Sequence, residues 1–167
     1  ANIYDEDIYT TAGLPTDYGD GTRESNLKCD FQKGVTVEFW LKNGALDENT
    51  KQTIFHLTNS SGGDELTIYL SGTTGSPFFT SLTASTTGIF KNERIGTTPD
   101  TSSIKNWNHY AISFKSGSNG INTKFYVNGA IDAEKKLGTV GATTLTQKNT
   151  LAYLASALPS ALVVQLF

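Results

Sequence analysis

The stretch WNHYAISFKSGSNGINTKFYVNG, residues 107–129, together with GVTVEFWLK at residues 34–42, decides the fold. Each alternates apolar and polar residues with a period of two, the pattern of a strand with one buried face. In residues 34–42, Val35, Val37, Phe39 and Leu41 share one face, and Thr36, Glu38, Trp40 and Lys42 share the other. Residues 107–129 contain their own turn: SGSNG (116–120) returns the strand 107–115 into 121–127. Asn128-Gly129 is then the dipeptide that best tolerates the positive φ of a type I′ turn, leading into a third antiparallel strand over 130–137.

Working outward, shorter runs at 53–58, 65–71, 77–84, 88–95 and 150–154 read as strands separated by turns rich in Asn, Ser, Gly and Thr. A strand is also expected around Ile3 to Thr10, followed by loops, and another in the apolar tail 161–167. Ten or so short strands with one apolar face each bury those faces by stacking as two sheets. The expected fold is therefore all-β, an antiparallel two-sheet β-sandwich or jelly roll. Helix is expected to be a minority, because no 3.6 period is sustained.

The chain has 167 residues, a length that suits one domain spanning 1–167. Its net charge of −3 comes with basic residues scattered along the chain, which argues against nucleic acid or an anionic membrane surface as partner. No apolar run approaches the length of a membrane span, and the start, ANIYDEDIYT, is acidic where a secretory signal would be basic and then apolar. Cys29 stands alone, which excludes an internal disulfide and a cysteine-based metal cluster.

GVTVEFWLK, IFHL, ELTIYL, WNHYAISF and KFYVNG, in that order, resemble the laminin G-like, or concanavalin A-like lectin and glucanase, domain, a jelly-roll group that includes the pentraxins. The resemblance is strongest over residues 35–137. It implies two curved antiparallel sheets, and structural roles for Trp107 and His109 at the opening of a strand and for Asn128 and Gly129 in a tight hairpin. The family often ends in a strand rich in acidic and aromatic residues that pairs back near the beginning, whereas this chain closes with LPSALVVQLF. That departure leaves open a sandwich that is complete, truncated or finished by a partner. The Thr-, Asn- and Gly-laden texture, with RIGTTPDTSS ahead of the Trp107 strand, also resembles copies of this domain in structural proteins of tailed phages.

Catalysis is not expected. A glycanase needs two carboxylates about 5 to 5.5 Å apart across one glycosidic bond, and Glu38 is the only acid in its strand, while Asp5, Glu6 and Asp7 lie outside the strong strands. His56 and His109 are the two histidines, and each reads as a packed or hydrogen-bonded structural residue. No cofactor is expected. Calcium, which some relatives bind, has no dense acidic loop here, since Asp47, Asp64, Asp100 and Asp132 read as dispersed turn or hairpin acids, and no metal site is assigned. Asn59-Ser60-Ser61 is a formal glycosylation sequon that reads first as a turn.

One residue suggests ligand binding. Trp40 stands on the more polar face of its strand, where an indole can stack against a sugar ring or a protein partner. The competing reading has that face covered by the N-terminal segment or the other sheet, and the sequence favours this second reading, under which Trp40→Ala impairs folding more than binding. The function expected is a non-enzymatic structural or adhesive module of a phage capsid accessory or tail appendage, in a virion or at an extracellular or cell surface, contacting proteins or glycans. The rivals are a free-standing lectin-like domain with calcium assistance and a glycoside hydrolase. Leu162, Val163, Val164, Leu166 and Phe167 add the expectation of an oligomer through the apolar tail or a sheet edge.

Overall fold

The computed structural model describes residues 2–4, 30–44, 46, 51–59, 65–72, 74–84, 87–97, 99, 103–138, 150–154 and 162–166. Within them eleven strands run in chain order: β1 (Asn2–Tyr4), β2 (Val35–Asn43), β3 (Gln52–Asn59), β4 (Glu65–Leu70), β5 (Phe78–Ala84), β6 (Thr87–Arg94), β7 (Asn108–Gly117), β8 (Gly120–Val127), β9 (Ala130–Leu137), β10 (Thr150–Leu154) and β11 (Leu162–Leu166). They form a six-stranded sheet in the order β1-β10-β3-β4-β5-β6 and a five-stranded sheet in the order β11-β2-β7-β8-β9. The strand pairings within both sheets are antiparallel. The all-β two-sheet sandwich expected from the sequence is the fold observed.

The alternation in β2 positions the two layers. Val37, Phe39 and Leu41 are buried while Thr36, Glu38, Trp40 and Lys42 are exposed, so the register matches the sequence pattern. Tyr110, Ile112 and Phe114 of β7 and Ile121 and Phe125 of β8 extend the same inner face. Against it the six-stranded sheet presents Ile54, Leu66, Ile68, Leu70, Phe78 and Leu82. Phe78 is the knob that joins the layers. Its ring centroid lies 4.7 Å from Tyr110, 5.0 Å from Phe125 and 6.4 Å from Phe39, tilted contacts of the kind aromatic quadrupoles favour. A polar link crosses the interior as well, where Asn43 Nδ2 donates to Gln52 Oε1 at 2.6 Å and satisfies two buried amides.

Two local structures close the ends. The turn at Asp30–Lys33 inserts Phe31, fully buried, edge-on against Phe114, and the Phe31 carbonyl accepts from Ser116 N at 2.7 Å. A short 3-10 helix, Ser103–Lys105, buries Ile104. The sequence reading did not anticipate that helix. Among the described residues no helix is long and apolar enough to cross a membrane.

One expectation is corrected. The apolar tail, read as an unpaired strand inviting a partner, is paired within the chain: β11 runs antiparallel to β2, with Gln165 opposite Trp40 and Val163 opposite Lys42. Hydrogen bonding to β2 occupies one side of the tail, and β11 ends the five-stranded sheet with no described strand on its other side. Asn2–Tyr4 of the expected N-terminal strand pairs with β10 at the edge of the six-stranded sheet. Residues 5–10 of that expected strand, Cys29, Asp5, Glu6, Asp7, Asp47, Asp64, Asp100, and Ser60 and Ser61 of the sequon lie outside the described residues.

Candidate recognition site

The outer face of the five-stranded sheet carries the candidate site. Its geometry follows from cross-strand register. Trp40 on β2 is opposite His109 on β7, and two residues along, Glu38 is opposite Ala111, which is opposite Tyr126 on β8, which is opposite Ile131 on β9. Since the inner face of these strands is apolar, the alternation turns this row outward.

Trp40 remains 37% exposed, so part of its indole is open to solvent. Its indole lies 5.4 Å from the His109 ring, centroid to centroid and tilted by 54°. His109 Nε2 in turn meets Glu38 Oε1 at 2.7 Å, a distance that fixes both the imidazole tilt and the carboxylate rotamer. Glu38 remains half exposed, so one carboxylate oxygen is held by the imidazole while the group stays within reach of solvent. The result is an aromatic plate bordered by an imidazole and an oriented acceptor.

The hairpin at Asn128 and Gly129 braces this row. Both take positive φ, 50° and 82° respectively, the conformation of a type I′ turn. Asn128 N donates to the His109 carbonyl at 2.8 Å, its Oδ1 accepts from His109 N at 3.0 Å, and its Nδ2 donates to Asn108 Oδ1 at 2.9 Å. Three bonds from one turn residue therefore fix the start of β7, where His109 sits. Trp107, two residues before His109, is 45% exposed and lies outside the core. The sequence resemblance gave Trp107, His109, Asn128 and Gly129 structural roles but held no signal for the bond between His109 and Glu38, which depends on which strands become neighbours.

The outer face of the other sheet is arranged differently. A row crosses it from Thr53 through Tyr69 and Phe79 to Arg94. Tyr69 and Phe79 stack at 5.5 Å and 14°, Lys51 Nζ lies 4.6 Å above the Tyr69 ring, and the Arg94 guanidinium lies 5.1 Å from the Phe79 centroid. Asn92, in the left-handed region at φ 53°, accepts at Oδ1 from both Tyr69 Oη (2.8 Å) and Lys51 Nζ (3.0 Å). Tyr69 is almost fully buried there, and burial raises its phenol pKa, partly offset by a hydrogen bond with Ser81. His56, which the sequence reading made structural, lies on this sheet with Nε2 3.8 Å from Glu65 Oε1. Asp132, read from the sequence as a turn or hairpin acid, lies in β9 and accepts from Thr97 N at 2.6 Å, a long-range contact with the segment after β6. Among the described residues no group of three or more His, Cys, Asp or Glu is arranged to hold a metal ion.

Comparison with known proteins agrees with this architecture. The model of the Concanavalin A-like lectin/glucanases superfamily matches residues 17–159. No curated protein matches the chain. Among solved structures, domains LG4-5 of the mouse laminin α1 chain share 15% identity at a TM-score of 0.49, covering 82% of this chain and 36% of theirs. The Bacillus licheniformis β-glucanase shares 15% at 0.44, covering 80% and 58%. A carbohydrate-binding module from Bacillus subtilis, CBM66, shares 11% at 0.39, covering 84% and 75%. The chain thus spans less than two thirds of the length of the first two. With most of its length matched by the family model and two antiparallel sheets stacked on an aromatic core, the chain belongs to the Concanavalin A-like lectin/glucanases superfamily, as a laminin G-like member.

Proposed function

We propose that the chain is a non-enzymatic recognition module that binds glycans or protein surfaces through the outer face of the five-stranded sheet, with Trp40 as its anchor. The observation that carries this reading is the exposed indole beside a preset imidazole and carboxylate. An aromatic plate stacks against the C–H face of a sugar, and bordering acceptors take its hydroxyl protons. The same combination anchors a protein side chain, since exposed tryptophans are frequent interface hot spots.

A hydrolytic reading is less well supported. Glu38 is the only acid of β2, so that strand offers no second carboxylate to share one glycosidic bond, and Glu38 Oε1 is already in contact with His109 Nε2. The finer setting, a virion appendage or an extracellular surface, is carried by the Thr- and Asn-rich texture of the sequence. A calcium-assisted lectin is the rival reading, and the open sheet face favours the calcium-free form because its contacts need no cation.

The test is a glycan array probed with the purified chain, with and without chelator, paired with a reducing-sugar release assay on any glycan that binds. Binding unaffected by chelator with no sugar release is the expected result. Release of reducing sugar would replace the module with an enzyme, and loss of binding in chelator would replace it with the calcium-dependent lectin.

A further inference from the structure

The charges on the outer face of the five-stranded sheet are not balanced within it. β7, β8 and β9 turn Lys115, Asn122 and Lys136 outward as one cross-strand row, and a neighbouring row carries Ser113, Lys124 and Glu134. Among the described residues, both carboxylates of this face are engaged, Glu38 with His109 at 2.7 Å and Glu134 with Lys124 at 3.5 Å. Lys42, Lys115 and Lys136 are exposed, and none of them pairs with an acid. The unpaired charges described on the face are therefore all ammonium groups, on a chain whose net charge is −3. Lysines far apart in sequence reach one surface because β2, β7, β8 and β9 are successive strands of the sheet.

Aromatic surface occupies the other end of the face. Trp107 stands one residue before β7 and in step with His109 and Ala111, so alternation turns it to the same side. Carried one step past Leu41 and Asn108, the register of β2 and β7 sets Trp107 level with Lys42 and diagonal to Trp40, a spacing of about 7–8 Å. Among the described residues Trp107 has neither a ring nor a hydrogen-bonding partner, and it is 45% exposed. At a rise of about 3.4 Å per residue, the level of Trp107 and Lys42 is about 27 Å from Lys115. Between the two ends Thr36 and Ser113 lie opposite each other, and their hydroxyls both donate and accept. A protein-binding surface would have its apolar core in that middle region.

We propose that the ligand of this face is a polysaccharide bearing uronic acid carboxylates, an inference that rests on the binding role proposed above for the Trp40 face. The two indoles stack on sugar rings, Thr36 and Ser113 meet sugar hydroxyls, and the ammonium groups of Lys42, Lys115 and Lys136 take the carboxylates. The spacing of the cations selects the class. Lys115 and Lys136 are two strand spacings apart, about 10 Å, and Lys42 is farther still, which suits a chain with well-separated single charges. A densely sulfated chain finds no cluster of basic side chains to match it.

The test measures binding of the purified chain to hyaluronan, alginate and polygalacturonate, each against its carboxyl-reduced neutral form, with dextran sulfate as the sulfated arm and a protein array alongside. At least one uronate polymer is expected to bind about five- to tenfold more tightly than its neutral form, the worth of several exposed ion pairs, and high salt should erase that preference. Lys42→Gln, Lys115→Gln and Lys136→Gln combined should level the two forms, whereas the corresponding Lys→Arg set should keep the preference. Lys91→Gln, which removes an exposed lysine of the six-stranded sheet, should change neither affinity. Trp107→Ala should weaken acidic and neutral forms alike. Equal affinities for the two forms, dextran sulfate bound more tightly than every uronate polymer, a preference that survives the triple Lys→Gln variant, undiminished binding by Trp107→Ala, or binding to proteins alone would each overturn the proposal and leave the Trp40 face a recognition surface. A wild-type chain that binds neither glycan nor protein would overturn both readings.

Discussion

The outer faces of the two sheets both carry aromatic side chains, yet they are built to opposite ends. On the six-stranded sheet, Tyr69 and Phe79 are stacked on each other, each ring lies near a cation, and Asn92 ties Tyr69 to Lys51. On the five-stranded sheet, Trp40 has His109 on one side and 37% of its surface open to solvent. An outward aromatic is therefore not by itself a sign of binding. What distinguishes the faces is whether neighbouring side chains already use the ring: the first row is closed by contacts within the chain, and the second keeps an unused plate.

The strongest way to sharpen this comparison uses adjacent residues of one strand. Phe39 is fully buried, with Phe78 and Tyr110 against it, and Phe39→Ala should cost about 3–5 kcal/mol of stability, read in a denaturant melt. A smaller loss, about 1–2 kcal/mol, is expected for Asn128→Ala, because alanine is strained in the left-handed region and the hydrogen bonds from the Asn128 side chain to the start of β7 disappear. Asn128→Gly should recover part of that loss by relieving the strain alone.

On the closed row, Phe79→Leu removes one stacking partner and one cation–π contact and should cost about 1–2 kcal/mol. If it costs nothing, that row is not held by its internal contacts and the contrast between the faces fails. Alkaline pH gives a further handle on the interior. Burial pushes Tyr110 from 10.0 up to about 12, partly offset by a hydrogen bond with Asn108, and Tyr69 moves in the same direction. Both phenols stay protonated longer folded than unfolded, so their contribution is full below pH 10.0, falls as pH rises, and for Tyr110 is lost by about pH 12. Thermal melts across that window should show the decline, and a Tyr110→Phe variant should show less of it.

Much of the fold was legible because period-two alternation reports burial directly. The sequence boundaries for β9 and β10 coincide with the observed strands, and Val35 to Lys42 face as their alternation says. Asn128-Gly129 was legible for a local reason, since positive φ at consecutive positions strongly favours that pair. The candidate site was legible only in part. Trp40 was identifiable as an aromatic on a polar face, but its exposure depended on where β1 and β11 pair, a long-range choice that local periodicity does not encode. The bond between Glu38 and His109 was hidden for the same reason, since it depends on β2 and β7 becoming neighbours.

Trp40→Ala, studied by thermal melting and by glycan and protein-partner arrays on the same preparation, tests the central claim most directly. The account predicts a stability loss of about 1 kcal/mol, the worth of one aromatic contact, together with at least about a tenfold loss of affinity for whatever the wild type binds. A variant that melts far below the wild type but binds as tightly while folded would contradict it and make Trp40 a packing residue.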